Sequence, residues 1–570
     1  MIDDLYQFTQ DLFLFEEFSR IANSNSIFKT RDARAIYNKV ITKISSNFNF
    51  LATKNILSLL VTNNKKMILE RQEFFSKLGQ TKNDFLKDLK LDVSNRFRVS
   101  YSVAIATEDE ELYFRYKKQK LNVYLIENPN DITSLQDYDL VYAIDVDQFS
   151  SLLENLSQVM FVNEEQVFLE RYLTTLSVWK NIILKANENK ELFSMCGIDI
   201  NNENLVNNLI DCLPLLEKKE QDGFNIDEIN QNLYDANLEL SEKLSQMTLK
   251  GDILFQIANG KSVPQVESII DEIIIKCDLP QSIIERGIPL KLNQDEVKSL
   301  LLNQKRDVYL NFVNKLIKKS DVIIKIPHLI RELERKIILF DFLSSVSNLK
   351  VDSKIKFGSD FRLSKSSNLF IDNAHPIDFH LDDKHRCSIL TGANSGGKTT
   401  LLEHVIQIIS LTSMGLLVNG EIESCLFSEV YYFAKNKGVA GSGAFEKLLN
   451  QLSKIDVGKN TLILADEIEA VTEPGVAAKI ISATCSYFTN KGCKMIVATH
   501  LGFEIVNNMP DFSRVDGIEA KGLDSNMNLI VEHNPVLGRL AHSTPQLIVE
   551  KLANTKGHDY FTYVYDSLST

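Results

Sequence analysis

A glycine-rich loop between a predicted strand and a predicted helix constrains this 570-residue chain more than any other feature. Residues 387–401 read CSILTGANSGGKTTL, an apolar strand that runs into the pattern GxxxxGK(S/T) and then into a helical pattern. Gly392, Gly397, Lys398 and Thr399 hold the four defining positions. This spacing is suited to binding the phosphates of a nucleotide. Glycines let backbone N–H groups surround the phosphates, the lysine reaches the β and γ oxygens, and the threonine hydroxyl can ligate Mg²⁺. A chance glycine-rich turn is the alternative, which the flanking strand and helix disfavour.

A second apolar strand ends in two acids. Residues 461–467 read TLILADE, which suits a Walker B element. Asp466 would then hold Mg²⁺ through water, and Glu467 would polarise the attacking water. Paired acids also occur at ordinary helix N-termini, where they favour the helix dipole, and this alternative stays open.

A third apolar run, KMIVA at 494–498, leads to Thr499 and His500. The carboxyl ends of strands are where α/β sheets bind their ligands. His500 is therefore a candidate to hydrogen-bond the γ-phosphate or the attacking water. The alternative is a packed surface histidine.

These elements together resemble the MutS family, an ABC-type class of P-loop ATPases. Residues 391–400, TGANSGGKTT, are similar to the family's Walker A pattern TGxNxGGK(S/T)T, in which Asn394 and the double glycine are distinctive. The other matching segments follow in the family's order: NAHP at 373–376 (xxHP), GSGAFE at 441–446 (the signature segment), DEI at 466–468 and ATH at 498–500. Ser442 is the expected counterpart of the signature serine.

The resemblance implies an ATPase that uses ATP and Mg²⁺ in a homodimer with composite sites. It assigns catalysis to Lys398, Glu467 and His500, and Mg²⁺ to Thr399 and Asp466. The expected ATP-binding residues are Gly392, Ala393, Asn394, Ser395, Gly396, Gly397, Lys398, Thr399 and Thr400, with Ser442 acting on nucleotide in the partner subunit. The sequence departs from the family pattern in two segments that the resemblance places against the partner subunit. Residues 469–472 read EAVT where the family usually has GRGT, and Gly443 is inserted in the signature segment.

The predicted fold class is multidomain, with three consecutive parts. Residues 1–165 are an N-terminal α+β region of unknown role, helical to about residue 90 and strand-like from about 96 to 147. Residues 166–350 are a mainly helical core with lever and clamp arms. Residues 351–570 are an α/β P-loop ATPase domain with a C-terminal helical dimerisation segment.

The lever prediction depends on apolar residues at helical spacing. One seam runs from Ile226 to Met247, and a second runs from Val297 to Leu316. Spacings of three and four residues predict long amphipathic helices that pack side by side. Ordinary core packing would give the same periodicity, so the lever interpretation depends on the downstream motifs.

No mismatch-reading element is recognisable near the N-terminus. MutS proteins that read mismatches carry a GDFYE-like element, whereas the early Phe-x-Glu here, beginning at Phe15, has no preceding Gly-Asp and lies in an amphipathic stretch. We therefore interpret Phe15 as a core residue. The resemblance supports DNA clamping more directly than mismatch recognition.

Composition and charge bound the remaining possibilities. The chain is 44% hydrophobic and 24% charged, as soluble globular proteins are, and its seven cysteines lack a CxxC pattern. The absence of an apolar run of about 18 residues predicts no membrane span, so we expect a cytoplasmic protein, nucleoid-associated if prokaryotic. A net charge of −13 disfavours DNA binding over the whole surface.

Two local runs of basic residues could still follow phosphates. One comprises Arg115, Lys117, Lys118 and Lys120, and the other comprises Lys315, Lys318, Lys319 and Lys325. A solvated helix or strand face is the simpler interpretation of each run.

The predicted function is an ATP-dependent clamp on double-stranded DNA, mismatched or branched, in mismatch repair or recombination. One alternative is a MutS-like ATPase that acts on ribosomes or structured RNA. Another is a transport or chromosome-structuring ABC ATPase, which would require an LSGG signature and either a membrane partner or a much longer coiled coil.

Overall fold

A computed structural model describes residues 24–91, 102–217, 226–246, 263–349, 351–392, 397–435, 442–455, 457–468, 474–523, 529–541, 545–556 and 558–569. Phe15 lies outside these residues. The strands are β1 Val103–Thr107, β2 Val123–Leu125, β3 Leu140–Ile144, β4 Val159–Phe161, β5 Ile284–Glu285, β6 Lys291–Leu292, β7 Lys356–Phe357, β8 Phe361–Ser366, β9 Ile377–Leu381, β10 Cys387–Gly392, β11 Glu421–Ser424, β12 Glu429–Phe433, β13 Thr461–Asp466, β14 Lys494–Ala498, β15 Ser513–Ile518, β16 Ala520–Leu523, β17 Leu529–Val531 and β18 Val536–Leu537.

The α-helices complete the framework. They are α1 Ser24–Ile27, α2 Arg31–Ser45, α3 Leu51–Leu59, α4 Lys65–Lys77, α5 Glu110–Lys118, α6 Ser150–Leu153, α7 Glu170–Glu188, α8 Lys190–Met195, α9 Leu205–Cys212, α10 Ile226–Gln246, α11 Pro264–Lys276, α12 Gln294–Lys318, α13 Ser320–Ile323, α14 Ile326–Ser347, α15 Lys398–Met414, α16 Ser442–Leu452, α17 Pro474–Asn490, α18 Gly502–Val506, α19 Pro545–Lys556 and α20 Asp559–Ser569. Short 3₁₀ helices occupy Asp84–Asp88, Pro129–Leu135, Glu164–Gln166, Asn202–Asn204, Leu213–Leu216 and Gln281–Ile283.

The chain forms two compact units, each assembled from separated segments. The first comprises Met1–Lys90, Glu188–Ile200 and Leu333–Thr570, and the second comprises Leu91–Asn187 and Asn201–Glu332. A segment of the second unit runs across the boundary at 165 that the sequence predicts, and a segment of the first unit runs across the boundary at 350. The roles assigned to those three consecutive parts remain predictions.

The first unit is built on a six-stranded sheet with the order β12-β13-β14-β10-β15-β18. All neighbouring strands are parallel except β15 and β18. Strands β10, β13 and β14 are buried along nearly their whole length, which explains their continuous apolar sequences. Parallel strands bring their carboxyl ends to one edge, so the residues that follow β10, β13 and β14 lie close together.

Helices cover this sheet on both sides. Ala477, Ile481 and Cys485 of α17 pack in one core with strand residues such as Ile389 and Val497. Helix α15, which follows the glycine-rich loop, contacts β10, β13 and β14. A smaller sheet with the order β7-β11-β8-β9 belongs to the same unit.

The N-terminal helices also belong to the first unit. Helix α2 contacts both α15 and β12. Just before α2, the Lys29 N–H donates to the carbonyl oxygen of Val430 at 2.9 Å, and Phe28 forms a β-bridge with Val430. The chain before α2 therefore extends the six-stranded sheet at β12.

The second unit contains a four-stranded sheet with the order β2-β1-β3-β4, and its three strand pairs are all parallel. Strands β1, β2 and β3 lie within the stretch 96–147 that the sequence predicts to be strand-like. Helix α5 and short helical turns connect the strands, which makes this part α/β. Its helices are too short to give a clear periodic signal.

The two predicted amphipathic seams form helices α10 and α12. Ile229, Ala236 and Leu240 of α10 share a core with α11 and with the first turns of α12, including Val297. Met247 lies outside the described residues. Within the described part of the chain, no helix combines the length and apolar content needed to cross a membrane.

Candidate nucleotide site

The glycine-rich loop begins where β10 ends, between β14 and β15. Gly392 pairs with Ile518 of β15 and has φ = 127°, and a Cβ there would collide with the Ile518 carbonyl oxygen. Gly397, with φ = 94°, immediately precedes α15. Glycine is thus required at both ends of the loop. Ala393, Asn394, Ser395 and Gly396 lie outside the described residues.

Lys398 begins α15 with its side chain only 3% exposed. Its Nζ donates to the Gly392 carbonyl oxygen at 2.6 Å and lies 3.9 Å from Glu467 Oε1. A buried ammonium is costly unless it has such partners. The lysine therefore spans the loop and lies beside Glu467, the residue that follows β13.

Thr399 and Asp466 meet at the start of α15 and the end of β13. Thr399 Oγ1 donates to Asp466 Oδ2 at 2.7 Å. Asp466 Oδ1 is buried and has no hydrogen-bond partner among the described residues. Burial raises the pKa of Asp466, against the lowering effect of the Thr399 hydrogen bond. A buried carboxylate oxygen without a donor beside a threonine hydroxyl fits a hard cation such as Mg²⁺.

Glu467 lies between two further side chains. Its Oε1 is 2.6 Å from His500 Nε2, and Lys435 Nζ pairs with its Oε2. Burial by itself raises the pKa of Glu467, but the contacts with Lys435 and His500 outweigh burial and lower it. Glu467 also has a positive φ of 45°, which is uncommon for a non-glycine residue and costs backbone energy.

Lys435 is a site residue that the sequence does not reveal. It follows β12 by two residues, in the run YYFAKNK, and belongs to no motif that we identified. Because β12 pairs with β13, the chain after β12 reaches the same sheet edge as Glu467. Because Lys435 follows a neighbouring strand, its place in the site could be predicted only once the strand order was known.

Thr400 and Ser442 lie in described helices, but with less defined roles. The carbonyl oxygen of Thr400 accepts a hydrogen bond from Asn368 Nδ2 at 3.4 Å, which ties α15 to the loop before β9. Ser442 is the first residue of α16. Its side chain, Gly441 and residues 469–472 fall outside what the structure describes.

Two histidines lie near the loop. The rings of His375 and His533 are 6.0 Å apart at an interplanar angle of 19°. A Cβ placed on Gly397 would be 3.5 Å from His533 Nδ1. His375 lies in the NAHP segment, whereas nothing in the local sequence distinguishes His533.

The segment before α2 reaches the same neighbourhood. Thr30 Oγ1 donates to the Tyr432 carbonyl oxygen at 2.8 Å, and the Tyr432 N–H donates back to Thr30 Oγ1 at 3.0 Å. Asp32 Oδ2 accepts a hydrogen bond from the N–H of Ala434, the neighbour of Lys435. The N-terminal segment therefore fixes the chain that presents Lys435 to Glu467.

Comparison with known proteins agrees with these motifs. No family model matches the chain. DNA-binding protein MutS2 of Pyrococcus furiosus is 28% identical over 92% of this chain and 96% of its own length. Endonuclease MutS2 of Caldicellulosiruptor bescii and DNA mismatch repair protein MutS of Petrotoga mobilis are each 24% identical, over 76% and 80% of this chain. Those two matches span 53% and 57% of the relatives, about half their length.

The similarity to MutS2 and MutS proteins extends far beyond the loop and covers most of the chain. By sequence, this chain is therefore similar to MutS2 and MutS proteins over most of its length.

Proposed function

We propose that this protein is an ATPase of MutS type that couples ATP hydrolysis to the binding of double-stranded DNA. The observation that carries the proposal is the convergence of five side chains at one sheet edge. They are Lys398, Thr399, Asp466, Glu467 and His500. They come from three separate segments, and each lies at or after the carboxyl end of a buried parallel strand.

Each residue has a role that its surroundings support. Lys398 and the N–H groups at the start of α15 neutralise phosphate charge. Thr399 Oγ1 and Asp466 would hold Mg²⁺ with the help of the phosphates and water, and Mg²⁺ supplies charge neutralisation at the β and γ oxygens. Among the described residues, no group of three or more His, Cys, Asp or Glu side chains could hold a metal ion by itself.

Glu467 is the proposed general base. The lowered pKa keeps its carboxylate ionised near neutral pH, and an ionised carboxylate can accept a proton from an attacking water. His500, 2.6 Å from Glu467 Oε1, orients the carboxylate and relays the state of the γ-phosphate to the rest of the unit. His375 and His533 offer aromatic faces on which a purine base could stack.

The site is proposed to be completed by a second copy of the chain. In that arrangement Ser442, at the N-terminus of α16, contacts nucleotide bound to the partner. ATP with its γ-phosphate would join the two subunits more firmly than ADP, so the nucleotide state would bias an open or a closed clamp.

The proposed ligand is double-stranded DNA with a mismatch or a branch, in mismatch repair or recombination. Support comes from the relatives, whose names describe a DNA-binding protein, an endonuclease and a mismatch repair protein. Helices α10, α11 and α12 share one core and would serve as the clamp arm. Because similarity of fold does not fix a ligand, the DNA must be tested directly.

ATP turnover and ATP binding by Glu467→Gln and Lys398→Ala provide the test. Glu467→Gln keeps the site's shape but removes the base, so it should bind ATP and lose turnover. Lys398→Ala should lose ATP affinity because the loop loses its buried cation. Unchanged ATP turnover in Glu467→Gln would show that Glu467 is not the general base.

The nucleic-acid part of the proposal needs a separate measurement. Binding to homoduplex, mismatched duplex, four-way-junction DNA and structured RNA would be compared with and without ATP. Preferential binding of DNA that depends on ATP supports the proposal. Preferential binding of structured RNA would favour action on ribosomes or RNA.

A further inference from the structure

The two basic runs of the sequence lie on one face of the second unit. Leu112 and Tyr116 of α5 pack in the same core as Tyr309 and Val313 of α12. That core covers one side of the parallel sheet, with Val103, Ile105 and Tyr142 among the strand residues. Helices α5 and α12 therefore pack on the same side of the sheet, although about 200 residues separate them in sequence.

A short turn links the two runs. Glu164, the first residue of the turn Glu164–Gln166, pairs with Arg115 at 2.8 Å between its Oε2 and the arginine Nη2. At the other end of the turn, Gln166 Nε2 donates to Ser320 Oγ at 3.0 Å, next to Lys319. The end of α5 and the end of α12 thus meet at opposite sides of one turn.

We call this face the basic surface and define it by Lys117, Lys118, Lys120, Lys315, Lys318 and Lys319. All six lysines are exposed. None of them makes an ion pair within 4.0 Å of a carboxylate that the structure describes, in contrast to Arg115, which is paired with Glu164. Lys117 instead lies 5.6 Å from the centre of the Tyr113 ring. Exposed acids also lie on these elements: Glu110 and Glu111 in the first turn of α5, Glu165 in the linking turn and Asp321 after Lys319, while Glu164 is paired with Arg115. The six lysines outnumber these four acids on a chain whose net charge is −13.

An aromatic side chain stands among these cations. Phe114 of α5 is 66% exposed, whereas its neighbours Leu112 and Tyr116 are buried. Lys117 and Lys118 follow Phe114 by three and four residues, so they share its side of the helix. Exposed aromatic rings beside cations are the combination that stacks unpaired bases while the phosphates are neutralised.

We infer that the basic surface binds the phosphate backbone of DNA, with Phe114 contacting a base where the duplex is interrupted. This inference rests on the proposed DNA-binding function and assigns to it a contact made by the end of α12 together with α5. The charge arrangement carries it: six exposed lysines, without carboxylate partners within 4.0 Å among the described residues, lie in or just after two helices that pack on the same side of the sheet. Phosphate is the complementary charge, and its neutralisation releases counterions.

The test is DNA binding by the full chain carrying Lys118→Gln, Lys315→Gln and Lys318→Gln together. Glutamine keeps helix propensity and side-chain length while removing the charges. The control carries Lys43→Gln, Lys180→Gln and Lys384→Gln, three exposed lysines outside the two basic runs. Both variants change the net charge equally, so a difference in their DNA affinity reports the effect of where the substituted lysines lie. Circular dichroism and ATP turnover without DNA should match the unmodified protein in both.

The expected result is a loss of DNA affinity of about tenfold or more at 0.1 M salt. The slope of log affinity against log salt should fall by about three, since each phosphate-contacting lysine contributes about one. Phe114→Ala should weaken binding of forked DNA by about tenfold and leave duplex binding and the salt slope unchanged. The control triple variant should behave as the unmodified protein.

Different failures have different meanings. If the unmodified protein binds no DNA in any nucleotide state, the proposed DNA-binding function is wrong and this inference falls with it. If the unmodified protein binds DNA and the test variant binds equally with the same slope, the basic surface alone is refuted. Equal losses in the test and control variants would attribute the effect to net charge and refute the surface. A loss confined to structured RNA would refute DNA as its ligand.

Discussion

Replacing Thr30 with valine would remove one hydroxyl and three hydrogen bonds while keeping the side chain's shape. The hydroxyl oxygen accepts from the Ala33 N–H at 3.3 Å as the N-cap of α2, accepts from the Tyr432 N–H, and donates to the Tyr432 carbonyl oxygen. Loss of an N-cap costs about 1 kcal/mol. The two bonds to Tyr432, which is 3% exposed, add about 1 kcal/mol each. The expected destabilisation is about 3 kcal/mol, or about a hundredfold in the local opening equilibrium.

The effect should be local to the edge of the six-stranded sheet. Hydrogen exchange measured by mass spectrometry would show faster exchange of the Tyr432 and Ala434 amides in Thr30→Val. Urea unfolding followed by circular dichroism would give the global change. Thr42→Val is the matched control, because the exposed Thr42 hydroxyl donates only to Asn38 within the same helix. The control should stay within about 0.5 kcal/mol of the unmodified protein.

Unchanged protection of Tyr432 in Thr30→Val would refute the reasoning. It would mean that residues before α2 do not hold β12. A change of equal size in Thr42→Val would refute it too, because the loss would then reflect a general effect on α2.

Three further outcomes are expected. Glu467→Gln should lower the rate constant of ATP hydrolysis by about 10²- to 10⁴-fold with little change in ATP affinity, measured by single-turnover assay and nucleotide binding. Lys435→Met removes a group that lowers the pKa of Glu467, so the acid limb of the kcat profile should move to higher pH while KM stays constant. Burial lowers the pKa of His404 from 6.5 to about 4, so stability should be complete above pH 6.5 and fall by about 3 kcal/mol towards pH 4. His404→Gln should flatten that dependence in urea unfolding.

The sheet of the first unit was predictable from sequence because its strands are buried on both faces. The predicted run KMIVA coincides with β14, Lys494–Ala498, and TLILAD coincides with β13, Thr461–Asp466. A continuous apolar run bounded by polar residues is the expected pattern for such strands. The long helices α10 and α12 were also predictable, because their apolar residues repeat at helical spacing.

Contacts between segments that are distant in sequence have no local sequence pattern from which they could be predicted. The ion pair between Lys435 and Glu467 forms because β12 lies beside β13, and no local sequence pattern predicts that these two strands are neighbours. In the second unit, the nine-residue helix α5 was too short for its sequence pattern to distinguish a parallel crossover from a hairpin connection.

The bond between Thr30 and Tyr432 joins residues 402 positions apart. During synthesis at about 5–20 residues per second, the N-terminal helices would wait roughly 20–80 s before that partner emerges from the ribosome. Through that interval the buried faces of α2 and α3, including Ile36, Val40 and Ile56, lack the strands and helices that cover them in the finished protein. The nascent chain therefore exposes this apolar surface while the residues between Thr30 and Tyr432 are synthesised, and we expect chaperones to bind it during that interval.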